Sequence, residues 1–275
     1  MSKTLARAIA GFGGLVTVLQ KPKRRVNTLA RAAHLLEQQV TVQTKRGTLS
    51  CLCPTARSAN DPLAFETAEP ETIAWIDEFL SEGTLWDIGA NIGLYTLYAA
   101  LDPKIRVVAI EPSAASFAAL MRNVEINGQG ERVQAFCLAL DEAPHVANLH
   151  MAHTEAGHSM HAFGAPETVE GTLTPVFSQA TLGFSVDTLV RIPGVWPPDH
   201  IKLDVDSIEA EILRGARDTL KTVKSVIVEV MGTGVGDAGP LPVLAEAGFA
   251  ELPRYAAMGG RNRVFVNGTI FPTLS

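Results

Sequence analysis

Leu85-Trp86-Asp87-Ile88-Gly89-Ala90-Asn91-Ile92-Gly93 is followed by a helical run and then by Arg106-Val107-Val108-Ala109-Ile110-Glu111-Pro112. A short apolar strand that ends in a glycine turn and opens a helix points free backbone N–H groups, and the positive end of the helix dipole, at an anion above them. A second strand ending in an acid places a carboxylate where it accepts both hydroxyls of a ribose, as in dinucleotide folds. Glu111 is thereby the expected ribose binder, and the Asn91 amide a further contact for a small carboxylate held by the turn. A dinucleotide site needs glycine at the first, third and sixth positions so that a pyrophosphate reaches the backbone. Here Gly89 is followed by Asn91 and Leu94, which blocks that approach.

Short unbroken apolar runs recur at residues 85–88, 107–110, 133–138, 201–205 and 226–230, separated by helical patterns. Such alternation implies a mostly parallel sheet with helices on both faces. Phe249 to Leu252 and Arg263 to Val266, joined through Gly259-Gly260, predict a terminal antiparallel strand pair. Residues 39–52 alternate as a hairpin around Lys45-Arg46-Gly47, and residues 70–80 carry helical spacing through Ile73, Ile76, Phe79 and Leu80. The expected organisation is therefore a basic helix and lead-in or cap segment over residues 1–68, and a catalytic domain over residues 69–275. Within that domain residues 141–186 lack periodicity and are rich in His, Thr, Gly and Pro. A stretch of that length, placed after the third strand on the ligand-binding edge of the sheet, is expected to be irregular and to serve as a substrate lid.

Charge is unevenly spread. The formal net charge is -6, yet Lys3, Arg7, Lys21, Lys23, Arg24, Arg25 and Arg31 all precede the first acid, Glu37. An acidic body argues against nucleic acid as a partner, while the basic N-terminus suits phosphate or anionic lipid, so peripheral membrane contact is an open expectation. The apolar run at residues 9–19 is far shorter than the roughly 20 residues that span a bilayer. A surface helix, interfacial or otherwise, and simple disorder are the two readings of it. Cys51, Cys53 and Cys137 form no even disulfide framework and no zinc set, which points to a reducing, cytoplasmic location.

Five of the 7 histidines, His145, His150, His153, His158 and His161, fall in the expected lid. No clustered Asp, Glu or Cys completes a metal site around them, so no metal is expected. An imidazole titrates near neutrality and suits general-base work on a hydroxyl, with His158, beside Gly157 and Ser159, the preferred one. The run His200-Ile201-Lys202-Leu203-Asp204-Val205-Asp206 puts charge inside an apolar strand, with Lys202, Asp204 and Asp206 on one face. Charges buried there are costly unless they pair or serve a ligand. An internal Lys202–Asp204 ion pair that only orders the strand is one reading; Asp204 at the mouth of a pocket, with Glu209 on the next helical turn, is the other. Glu229, ending the strand at residues 226–230, is a further candidate base, with an ion-pairing role as its alternative.

Asp87 to Gly93, Glu111-Pro112, Asn123 with Asn127, and the cluster from Lys202 to Ala216 together resemble the FkbM-type methyltransferase family over about residues 65–230. The resemblance implies a class I methyltransferase fold (Rossmann-like), S-adenosyl-L-methionine as donor, and O-methylation of a sugar, glycan or polyketide-like hydroxyl. Its cofactor-binding residues here would be Asp87, Gly89, Ala90, Asn91, Gly93, Glu111, Pro112 and Leu140, and its catalytic candidates Asp204, Glu229 and His158. The family's Asp-Val-Glu-Gly-x-Glu signature reads Asp204, Val205, Asp206, Ser207, Ile208, Glu209. Serine in place of glycine would cost about 1 kcal/mol if that position needs a positive φ, and this motivates an alternative, a methyltransferase-fold scaffold or binding protein without turnover. No Asp/Asn-Pro-Pro-aromatic element follows the fourth strand, which disfavours a nucleic-acid base as acceptor. Oligomeric state has no signature in the sequence.

Overall fold

The leading strand and turn form as expected, with Gly83–Ile88 (β1) running into a turn over residues 89–93 and the helix Leu94–Ala99. Further strands follow at Ile105–Ile110 (β2), Val133–Phe136 (β3), His200–Leu203 (β4), Ser225–Glu229 (β5), Phe249–Glu251 (β6) and Asn262–Asn267 (β7). The computed structural model describes residues 2–168, 171–230 and 239–271. In space the strands lie in the order β6-β7-β5-β4-β1-β2-β3. β1 to β5 are parallel, and β7 runs antiparallel between β5 and β6. This is the class I methyltransferase sheet, parallel with a terminal antiparallel pair. The order reverses between β1 and β4, and at such a switch point the strands' carboxyl ends open a crevice for ligand.

Alternation along each strand builds two cores. Leu85, Val107, Ala109 and Ile227 pack with Trp75, Leu97 and Tyr98 on one face. Trp86, Ile88, Val108, Ile110, Ile201 and Leu203 pack with Val186, Leu213 and Leu220 on the other. Both faces being covered explains why the strands read as continuous apolar runs.

The hairpin of Gln39–Thr44 and Gly47–Leu52 is present, and two asparagines dock it to the helix Ala114–Ile126. Asn123 accepts the Leu52 N–H (2.6 Å) and donates to the Ile92 carbonyl (2.8 Å); Asn127 exchanges hydrogen bonds with the Ser50 backbone (3.0 and 2.7 Å). Asn123 thus joins the hairpin to the glycine turn. Residues 1–39 form a separate unit, with helices at Ser2–Val16 and Pro22–Leu35. No described helix is long and apolar enough to cross a membrane.

The stretch after β3 departs from expectation. Four strands pair there into a second sheet, in the order Ala139–Leu140, Phe177–Phe184, His145–Met151, His161–Phe163. Its inner residues Leu149, Met151 and Phe163 form a small core with Ala139. The pattern is faint because the outer positions, Val146, Phe177 and Leu182, are exposed although apolar, which blurs the alternation a two-sided sheet normally shows.

Replacing Asn123 with alanine strands a buried N–H and a buried C=O. The expected loss is roughly 2 to 5 kcal/mol in urea unfolding, and a loss under about 1 kcal/mol would mean that the hairpin is held by packing alone.

Candidate active site

The glycine turn is shaped by a close crossing of backbones. Gly89 (φ 82°) lies so near the chain leaving β4 that a Cβ would sit 1.8 Å from the Asp204 carbonyl oxygen. Gly93 (φ 89°) leaves room for the Leu120 side chain, which a Cβ would meet at 2.3 Å. Four of the five amides of this turn are already bonded within the protein, so for them the sequence reading of free N–H groups does not hold. Those of Gly89 and Ala90 bond the Ile110 carbonyl at 2.9 and 3.0 Å, that of Gly93 bonds the Ala90 carbonyl at 2.8 Å, and that of Asn91 bonds Glu111 at 2.9 Å. What the turn offers the cleft is the Asn91 side chain, itself carried on a left-handed backbone (φ 51°) and with no partner for its carbonyl oxygen among the described residues.

Glu111 follows β2 and is buried. It accepts the Asn91 N–H through one oxygen and the Ser113 N–H (2.8 Å) through the other. Burial raises its pKa to about 7 against the help of those two N–H groups, and the nearby charges of Asp87 and Asp206 add to the rise. Asp87, at the end of β1, accepts the Thr96 hydroxyl at 2.5 Å with one oxygen and has no described partner for the other. Its pKa is also raised by burial, although Lys202 pulls the other way.

Register places Lys202 of β4 directly beside Asp87 of β1. The ammonium is buried, donates to Asp204 at 2.8 Å and stands 5.3 Å from the centre of the Tyr95 ring. Burial alone would lower its pKa; the carboxylates of Asp204, Glu69 and Asp87 outweigh that and hold it charged. Asp204 is half-buried, and Lys202 more than offsets its desolvation, keeping its carboxylate below the usual range. Behind it, Glu229 hydrogen-bonds Asp204 and pairs with Arg261 at 3.0 Å. Burial, then repulsion from Asp204, pushes Glu229 up to about 8. Glu209 caps the next turn, accepting the Val205 N–H at 3.3 Å, and burial raises it to about 7.

Of these groups Asp87, Glu111, Lys202 and Asp204 face one open cleft, while Glu209 stands outside its lining. Asp87, Gly89, Ala90, Asn91, Glu111, Pro112, Leu140, His158 and Asp204 all line it; Gly93 and Glu229 do not, the one packing on Leu120 and the other standing behind Asp204. His158 stacks on His153 with ring centres 4.2 Å apart, and burial lowers its pKa. Three cleft residues carried no assignment from sequence. Glu69, which accepts the Thr72 hydroxyl, reads in sequence as a mere helix boundary. Tyr95 is hidden in an apolar helix. His161, both of whose ring nitrogens lack described partners and whose pKa burial lowers to about 4, was visible only as one histidine among several.

The methyltransferase FkbM domain model matches residues 87–251. Over 175 residues the chain is 28% identical to hexuronic acid methyltransferase AglP of Haloferax volcanii, covering 62% of this chain and 65% of that protein, just under two thirds of its length. It is 25% identical over 193 residues to Methyltransferase 1 of Beauveria bassiana, covering 65% of this chain and 78% of that protein. Magnesium protoporphyrin IX methyltransferase from Synechocystis, solved with bound S-adenosylmethionine, aligns at 11% identity and a TM-score of 0.42 over 77% of this chain and 82% of that one.

Glu111 yields a pH prediction. Its folded pKa of about 7 exceeds its unfolded value, so its contribution to stability is fully present below about pH 4.5 and is lost as pH rises through 7. Glu111→Gln mimics the protonated acid and does not titrate. Measured by urea unfolding without added ligand, its stability relative to wild type should rise between pH 5 and 8, by on the order of 3 kcal/mol. A pH-independent difference would show that the carboxylate is stable ionised.

Proposed function

Because the chain belongs to the methyltransferase FkbM domain family, we propose that it uses S-adenosylmethionine to methylate a hydroxyl of a sugar-type acceptor. The observation that carries this reading is the set of unused acceptors gathered in one cleft. One Asp87 oxygen and the Asn91 carbonyl oxygen are buried and lack described partners, beside a Glu111 carboxylate whose hydrogen bonds among the described residues are to two amides. A buried acceptor without a donor is costly. The donor molecule has an ammonium that suits Asp87 and vicinal ribose hydroxyls that suit Glu111, while Leu140 and Pro112 supply apolar walls. When bound, S-adenosylmethionine supplies an electrophilic sulfonium methyl.

The acceptor side falls to Asp204. Held ionised by Lys202, its carboxylate accepts a hydroxyl hydrogen bond and fixes the oxygen for in-line attack, where orientation dominates. With the donor bound, the O–C bond would form as the S–C bond breaks and the neutral thioether leaves, and the hydroxyl proton would pass to the ionised Asp204 carboxylate. The imidazoles of His158 and His161, held neutral by burial, line the same cleft and can bond further hydroxyls of a polyol. The hexuronic-acid relative supports a sugar over a polyketide. The scaffold alternative rested on Ser207 and the basic N-terminus; the left-handed backbone lies at Asp206 (φ 72°) and not at Ser207, which removes the first of these grounds.

In calorimetry, S-adenosylhomocysteine should bind wild type and weaken by about 1.5 to 3 kcal/mol in Glu111→Ala. With uronic acids and hexosides as acceptors, Asp204→Asn should lower kcat by roughly 10² to 10⁴ while leaving cofactor affinity within a few-fold. Absence of cofactor binding overturns the enzyme reading; binding without methylation of any hydroxyl acceptor overturns the sugar assignment and revives a binding role.

A further inference from the structure

The unit Met1–Gln39 has a chemistry that the catalytic cleft does not use. In the helix Ser2–Val16, the residues Leu5, Ile9, Phe12 and Val16 recur at helical spacing, and each is more than half exposed (64, 54, 66 and 59%). Lys3 and Arg7, four residues apart, stand on the opposite side of the same helix. The chain then turns: Thr17 is buried and donates its hydroxyl to the Gly13 carbonyl at 2.8 Å, leaving Val18 (56%) and Leu19 (97%) exposed. The return helix, Pro22–Leu35, approaches the first where Gly13 lacks a side chain, a Cβ there coming 3.5 Å from Leu29. That second helix, with the residue before it, carries Lys21, Lys23, Arg24, Arg25 and Arg31. Acids are absent until Glu37.

A surface of this size left apolar in water is unfavourable and marks an interaction site. Its charge selects the partner. An apolar helix face flanked only by cations fits the interface of an anionic bilayer, where the face enters the headgroup boundary and lysine and arginine meet lipid phosphates. A protein partner would be expected to answer the apolar face with its own, without a need for cations along both helices. We infer that this helical hairpin is a docking element for anionic lipid surfaces, with Phe12 and Ile9 entering the interface and Lys23 and Arg24 binding headgroups. The hairpin is too short to span, so the attachment is peripheral and reversible.

The full chain should cosediment with phosphatidylcholine vesicles containing about one third phosphatidylglycerol, far less with pure phosphatidylcholine, and less at high salt. Lys23→Gln with Arg24→Gln should weaken binding about fivefold per charge, and Ile9→Gln with Phe12→Gln should abolish it. All four residues are exposed, so circular dichroism should report unchanged folding. Absence of cosedimentation with anionic vesicles at low salt overturns the proposal. So does a dimer in light scattering that Ile9→Gln with Phe12→Gln dissolves while vesicles bind neither form, since the face would then serve a second copy.

Discussion

A single ammonium organises this site. Lys202 lies in the middle of a sheet covered on both faces, where an uncompensated charge would cost several kcal/mol. Its compensation draws carboxylates from separate elements: Asp87 from the neighbouring strand, Asp204 two residues on, and Glu69 from the boundary before the helix Pro70–Phe79. Of these acids, Asp204 is the one that Lys202 holds below the usual carboxylate range. Glu229, next to it, moves the other way, raised first by its own burial and then by the charge of Asp204. Two neighbouring carboxyls are thus set apart in acidity before any ligand arrives, one of them by where a single lysine sits.

Much of the fold was legible because its signals are local. Runs buried on both faces stay apolar throughout, as in Val107 to Ile110, and a glycine turn must follow β1 because Asp204 crosses it. Asp87, Glu111 and Asp204 were legible for the same reason: acids at strand ends have nowhere to go but the switch-point crevice. The misreadings share a cause in long-range geometry. The Gly89 and Ala90 amides looked free because their acceptor, Ile110, lies on another strand. Residues 141–186 read as poor in periodicity because the small sheet there has a small core and apolar outer positions. His161 and Glu69 could not be singled out, since only tertiary packing brings them to the cleft.

The small sheet divides labour with the large one. Asp87, Glu111 and Asp204 sit on the parallel strands and the tight loops after them, whereas His161 opens the short strand His161–Phe163 and His158 lies in the loop before it. Gln179 of the strand Phe177–Phe184 ties the two sheets together, donating to the Pro112 carbonyl at 2.7 Å and accepting the Ala114 N–H at 3.1 Å. The small-sheet wall of the cleft is thus anchored to the loop that carries Glu111.

Where the chain leaves β4, two left-handed non-glycine residues meet: Asp206 (φ 72°) accepts the N–H of Met160 (φ 61°) at 2.6 Å. Aspartate visits that conformation with less strain than a longer side chain, because it can hydrogen-bond locally. Read letter by letter, Asp206 and Ser207 are two departures from a family signature. Taken as backbone, the left-handed bend falls on Asp206, where a short acid holds it through the Met160 N–H, and Ser207 is not asked for a positive φ. The same carboxylate that shapes the chain leaving β4 thereby ties it to the loop ahead of the strand His161–Phe163, so the bend is also a clasp between the two sheets.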